Sequence, residues 1–226
     1  MEQLFNQYLP NLMTYKEEFI KAILQTLEMV LKSGVLSLIC GLILGITLVV
    51  TRKDGLLENR FVYHILDKVT NLFRSIPFVI LITTILPLTR LIVGTSIGVK
   101  GAIFPLVIGC TPFFMRQVDM ALSDTDAGLI EAAQAMGLSP TKIILRVYLR
   151  ESIPALVRSI TITLISLVGL TAMAGIVGGG GLGDFVTRYG HARYYYDITI
   201  VSVIVILLMV TFIQAIGNII IRKTTH

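Results

Sequence analysis

Five stretches of the chain, residues 22–50, 66–88, 102–120, 154–177 and 198–221, stay apolar over the roughly 20 residues that an α-helix needs to cross a bilayer. Inside hydrocarbon every backbone N–H and C=O must find a partner within the protein, which leaves helices or closed barrels. A barrel strand alternates apolar and polar residues, and a run such as VSVIVILLMV (201–210) has no such alternation. Charged residues make up 15% of the chain, against about 25% in a soluble domain. The expected fold class is therefore all-α, a polytopic membrane protein with five transmembrane helices. No fixed-period repeat and no second domain is visible.

The polar gaps supply the organisation. Residues 1–21 form an amphipathic lead-in, and Lys16, Glu17 and Glu18 speak against a cleavable leader there. Glu28 and Lys32 lie one turn apart in the first span and are expected to pair. TRKDGLLENR (51–60) is a charged loop. Pro77 and Pro87 should kink the second span, which also carries Arg74. TRLIVGTSIGVKG (89–101) reads as a glycine-rich connection. Arg116 and Asp119 mark the exit of the third span. The expected domain division is a lead-in over 1–21, one transmembrane domain over 22–218 and a tail over 219–226.

Five spans place the termini on opposite sides, and basic residues choose between them, because cytoplasmic loops are enriched in Lys and Arg. Eleven, among them Arg52, Lys53, Arg60, Lys142, Arg146, Arg150 and Arg222, fall on one side and six, among them Lys16, Lys21, Arg90 and Lys100, on the other. The expected arrangement has the N-terminus outside, with the C-terminus and residues 121–153 in the cytoplasm. The net charge of +5 sits in the gaps between spans, so it reads as membrane orientation and not as a nucleic-acid surface. Cys40 and Cys110 each lie within an apolar run and are expected to be free thiols packed as small hydrophobes.

Residues 121–153 are longer than a connection requires. Within them EAAQAMGLSPTKIILRVYL (131–149) reads as two short helices meeting at a corner. Asp126 suits the N-cap of the first. Gly137 suits the left-handed position just past its end. Ser139 and Pro140 suit the N-cap and first position of the second. Leu138 is expected at the exposed tip, and Leu129, Ile130, Ala133 and Met136 on one apolar face. Such a face serves a docking surface or a helix lying on the membrane.

Other motifs are less specific. GGGGLG (178–183) lacks the Lys-Ser/Thr of a phosphate loop and a preceding strand; it reads as a tight turn, or as an extracytoplasmic gate or binding-protein contact, with Gly178, Gly179, Gly180, Gly181 and Gly183 the gate residues. Ser166 and Met173 share a face of the fourth span, near Thr171; they serve helix packing or a substrate path lined by small polar groups and a soft thioether. Arg74 is a further path candidate, or a loop-side charge. Tyr194 to Tyr196 read as an interfacial aromatic belt. The span centres hold almost no Asp or Glu, which counts against an ion-coupled transporter, and no metalloprotease, paired-Asp or Ser–His pattern suggests an intramembrane enzyme. No metal or cofactor is implied.

The stretch at 131–149 resembles the EAA loop of ABC-type importer permeases, whose pattern is E-A-A, three residues, G, nine residues, I-x-L-P. Glu131, Ala132, Ala133 and Gly137 match and Leu149 fits the Leu. Val147 replaces the Ile, and Arg150 stands where the family has Pro. NLFRSIPF (71–78), PLTRLIVGTSIG (87–98) and TLISLVGLTAMAGIVGGGGLG (163–183) are similar to the methionine-transport permeases of that superfamily. The resemblance covers 22–218 and implies a type I ABC importer transmembrane domain. It further implies a non-catalytic subunit that moves D- or L-methionine inward by alternating access. Glu131, Ala132, Ala133, Gly137, Leu138, Ser139, Pro140 and Lys142 would couple to a cytoplasmic ATPase, with Leu138 to Lys142 in contact. The partners implied are two ATPase copies, a second copy of this chain and an extracytoplasmic methionine-binding lipoprotein, all at the inner or plasma membrane. A permease for another small amino acid is the nearest alternative.

Overall fold

The computed structural model describes residues 8–224; residues 1–7 of the lead-in and 225–226 of the tail lie outside the described residues. Every regular element among the described residues is helical. The long helices are α2 (Lys16–Thr51), α6 (Gly98–Ser123), α10 (Ile153–Ala174) and α12 (Tyr196–Thr224). With a π-helical extension of α10 to Gly179, these four are long and apolar enough to cross a membrane. α1 (Pro10–Thr14) precedes them.

The expected second span is not one helix. It is built from α3 (Arg60–Ser75), α4 (Phe78–Thr84) and α5 (Leu86–Val93). Ile76 is extended at φ −85°, ψ 124°, as a residue before proline is pushed to be. Pro77 then caps α4, and Pro87 lies within the first turn of α5. The five-span reading thus meets four continuous helices and one segment broken twice, next to the two prolines. The glycine-rich connection shrinks too, because α5 and α6 extend into it and leave only 94–97 between them.

Two compact units divide the chain. The first comprises Met1–Val35, Pro77–Gly109 and Leu164–Ile213; the second comprises Leu36–Ile76, Cys110–Thr163 and Gln214–His226. In the first unit, Asp197 at the start of α12 accepts hydrogen bonds from the backbone N–H of Asn11 (3.0 Å) and Leu12 (3.1 Å) and from the Asn11 amide (3.1 Å). Those backbone donors lie at the open N-terminus of α1, where a helix leaves its first N–H groups unpaired. The core there is Leu12, Ala22, Leu182, Phe185 and Ile198. Aromatic rings line it: Tyr15 against Tyr189 at 4.6 Å and Phe19 against Phe185 at 5.4 Å. The predicted tyrosine belt divides. Tyr194 and Tyr196 are exposed, but Tyr195 stacks toward Tyr15 at 6.3 Å and packs on this core.

In the second unit α2 and α6 meet through Gly41 and Gly45, one turn apart. A Cβ at Gly41 would stand 2.8 Å from the Phe114 ring, and one at Gly45 would stand 2.6 Å from Val118. This is the small-xxx-small contact of membrane helices, legible as G-L-I-L-G but not recognised in the sequence. Val49, Phe114, Val118, Leu122, Ala133, Ile143 and Tyr148 form the core. Nearer the start of α2, within the first unit, Glu28 and Lys32 pair as expected. Cys110 is buried, but Cys40 is exposed on α2, where it faces outward among apolar neighbours instead of packing inside.

Candidate functional site

The corner at 126–151 is built by local rules in its first half. α7 (Ala127–Ala135) opens on Asp126, whose carboxylate accepts from the Gly128 N–H at 2.8 Å. It closes on Gly137 at φ +74°. The Gly137 N–H donates to the Gln134 carbonyl (2.9 Å) and the Leu138 N–H to the Ala133 carbonyl (3.1 Å). These two bonds define a Schellman motif, which usually brings the residue after the glycine onto the helix it closes. Leu138 accordingly packs beside Ala133 on the core cluster. The expectation of an exposed Leu138 at the tip is corrected: the cap that makes the corner sharp also turns Leu138 inward.

The predicted apolar face of α7 splits for the same reason. Ile130 and Ala133 face the core. Leu129 is exposed, and Met136 is 72% exposed. In the second half, Ser139 occupies the N-cap and Pro140 the first turn of α8 (Pro140–Ile143), but the Ser139 side chain makes no capping bond. The chain runs on through a π-helical turn, Ile144–Tyr148, into α9 (Leu149–Glu151). That turn lets Ile143 and Tyr148 both reach the core while Leu145 stays 60% exposed. Thr125 and Ser152, one before α7 and one after α9, share a hydroxyl–hydroxyl hydrogen bond of 3.1 Å that ties the two ends of the corner together. Glu131, Ala132, Lys142, Arg146 and Arg150 are exposed. The corner thus presents Leu129, Met136 and Leu145 with both signs of charge, on a base anchored in the core.

The glycine run in the first unit is more than a turn. Gly175–Gly179 is a π-helical end to α10, broken at Gly178 (φ +91°), and Gly180 reverses the chain into α11 (Gly181–Phe185). The reversal folds onto α10 and α2. A Cβ at Gly175 would stand 2.5 Å from the Asp184 backbone nitrogen, and one at Gly183 would run into the Ala172 carbonyl oxygen. The Gly181 N–H donates to Gln25 Oε1 (2.9 Å) and the Leu182 N–H to Thr26 Oγ1 (2.8 Å). Gly179 is buried beside Ala102. The segment is a hairpin held by backbone contact.

The path candidates lie elsewhere. On α10, Ser166 and Met173 are exposed along one face with Ile162, Gly169 and Ile176, whereas Thr171 is buried and donates to its own helix at Val168 (2.7 Å). Arg74 is exposed at the C-terminal end of α3. One cluster escaped the sequence reading. Arg116 on α6 pairs with Asp67 on α3 and with Asp119 at 2.9 Å, and donates to Asn71 at 3.1 Å. The signal was present as two pairs, Asp67/Asn71 and Arg116/Asp119, each on one helix face; their meeting depends on how α3 packs.

A family model described as "Binding-protein-dependent transport system inner membrane component" matches residues 37–226. A Vibrio cholerae protein named "Probable D-methionine transport system permease protein" is 47% identical over 202 residues, 89% of this chain and 90% of that protein. A Bacillus subtilis methionine import system permease protein is 44% identical over 173 residues, 76% of this chain and 78% of that one. Among solved structures, an inward-facing methionine ABC transporter contains a chain that superposes with a TM-score of 0.92. It is 41% identical, and the match covers 94% of this chain and 99% of that one.

Proposed function

The chain belongs to the family of binding-protein-dependent transport system inner membrane components, and on that premise we propose that it is the membrane-spanning permease of an ATP-driven methionine importer. The observation that carries this reading is agreement of sequence and fold along nearly the whole chain with permeases of methionine importers. The protein is a multi-pass component of the cell membrane. It is not itself an enzyme: ATP hydrolysis belongs to a separate cytoplasmic chain, present in two copies. A second copy of this permease and an extracytoplasmic methionine-binding lipoprotein complete the assembly.

Each part then has a role. The N-terminus lies outside and the C-terminus in the cytoplasm, as the loop charges favour. The corner from Glu131 to Lys142 is the coupling element. Its exposed Met136 and charged rim receive the ATPase, while Leu138 and Ala133 transmit the push into the core of their unit. ATP binding draws the ATPase pair together, the corners follow, and the spans reorient between outward- and inward-open states. Ser166 and Met173 on the open face of α10, together with Arg74, line the methionine path. Gly178, Gly179, Gly180, Gly181 and Gly183 form the extracytoplasmic gate, a part packed closely enough against its neighbours to leave little room for graded deformation.

Reconstitution with the ATPase and the binding protein tests the reading. Methionine-loaded binding protein is expected to stimulate ATP hydrolysis and drive uptake, measured separately for the D- and L-forms. Equal stimulation by binding proteins loaded with unrelated amino acids would overturn the assignment of substrate.

A further inference from the structure

The first turns of α2 present Glu18, Lys21 and Gln25 at i, i+3 and i+7, one face of a helix. Across from them stand the glycine hairpin and the first residues of α11. Between the two lies a cavity of about 280 Å³. Pockets for drug-sized ligands run from about 300 to 1,000 Å³, so this one suits something smaller.

Its lining has two characters. Ala22, Ile97, Phe185 and Tyr189 are apolar, and the Phe185 and Tyr189 rings lie 5.0 Å apart. Glu18, Lys21, Gln25, Asp184 and Arg188 are polar. Two of these satisfy each other, since Arg188 pairs with Asp184 at 2.7 Å. Gln25 gives its oxygen to the Gly181 N–H, which leaves its amide donors without a partner among the described residues. The side chains of Glu18 and Lys21, both exposed, have no hydrogen bond or ion pair among the described residues. What remains unmatched is one carboxylate, one ammonium and one amide donor beside an aromatic wall.

We propose that this pocket takes a free amino acid with an apolar side chain. Glu18 receives the α-ammonium, Lys21 and the Gln25 amide receive the α-carboxylate, and the side chain lies against Phe185 and Tyr189. A thioether suits that wall, because sulfur is attracted to ring edges. A simple anion or cation would leave one of the two unmatched charges unanswered, whereas a zwitterion answers both. The inference rests on the importer reading and deepens it: the pocket, beside the extracytoplasmic gate, is where methionine released by the binding protein first meets the permease.

The test uses the complete permease–ATPase complex in lipid nanodiscs, without nucleotide and without binding protein. Saturation-transfer NMR with free L-methionine is expected to show saturable binding. Methionine methyl ester, which lacks the carboxylate, and 3-(methylthio)propionate, which lacks the ammonium, are each expected to bind at least tenfold more weakly. Glu18→Gln with Lys21→Met, both at exposed positions, is expected to weaken methionine at least tenfold with unchanged thermal unfolding. Equal binding of the three compounds, or equal binding by wild type and double variant, overturns the proposal. So does a double variant that keeps methionine binding but loses stimulation by loaded binding protein, since the face would then be a protein contact. Failure of the importer reading is seen separately, as a wild-type complex that gives no ATP-driven uptake with methionine-loaded binding protein.

Discussion

Gly137 stands at the bend that closes α7 and Gly183 lies inside α11, and a methyl group added to each would meet opposite surroundings. At Gly137 it would find nothing within 4 Å; at Gly183 it would run into the Ala172 carbonyl. Gly137 is glycine because its φ of +74° places a Cβ too close to its own backbone. Gly183 is glycine because another segment occupies the space. The corner is therefore shaped by its own chain and left open on its outer side. The hairpin is shaped by its neighbours, and it moves only if they move.

That contrast is open to direct attack. Gly183→Ala is expected to have the largest effect, a loss of about 3 kcal/mol or failure to fold, because overpacking against backbone has no rotamer to relax into; thermal unfolding of the solubilised complex reads it. Gly137→Val costs about 1–2 kcal/mol for a left-handed β-branched residue. It is expected to leave a folded complex whose ATP hydrolysis no longer responds to loaded binding protein. Normal ATP-driven uptake in that variant would break the coupling role of the corner. Asp126→Ala removes a side-chain cap and costs about 1 kcal/mol, whereas Ser139→Ala, which loses no capping bond, should stay within about 0.5 kcal/mol. Met136→Ser is expected to leave the unfolding temperature unchanged and to weaken ATPase association, measured by co-purification under increasing salt. An equal loss of stability at Met136 and Leu138 would erase the distinction between an outward and an inward side of the corner.

Much of the architecture was readable without coordinates. Helix ends at Asp126 and Gly137 depend on a few adjacent residues, so residue type alone located them. The prolines at 77 and 87 marked the breaks between α3, α4 and α5, although a span read by hydropathy ran straight across both. Leu138 was misplaced because counting apolar residues along a segment says nothing about which way a cap turns the next one. The Schellman contact would have predicted its direction. Ser139 held its position without its bond, because the N-cap site fixes the backbone and not the rotamer.

The sequence by itself determined the class of molecule: helical, membrane-spanning, with long polar loops and an EAA corner. Those properties come from runs of residues, from caps and from prolines, all local in the chain. Tertiary structure alone decided that Arg116 bridges Asp67 on α3 and Asp119 on its own helix. It alone brought Gly181 and Leu182 within hydrogen-bond reach of Gln25 and Thr26. Each of these joins segments whose meeting depends on how helices pack, and packing depends on the volumes of many distant side chains at once.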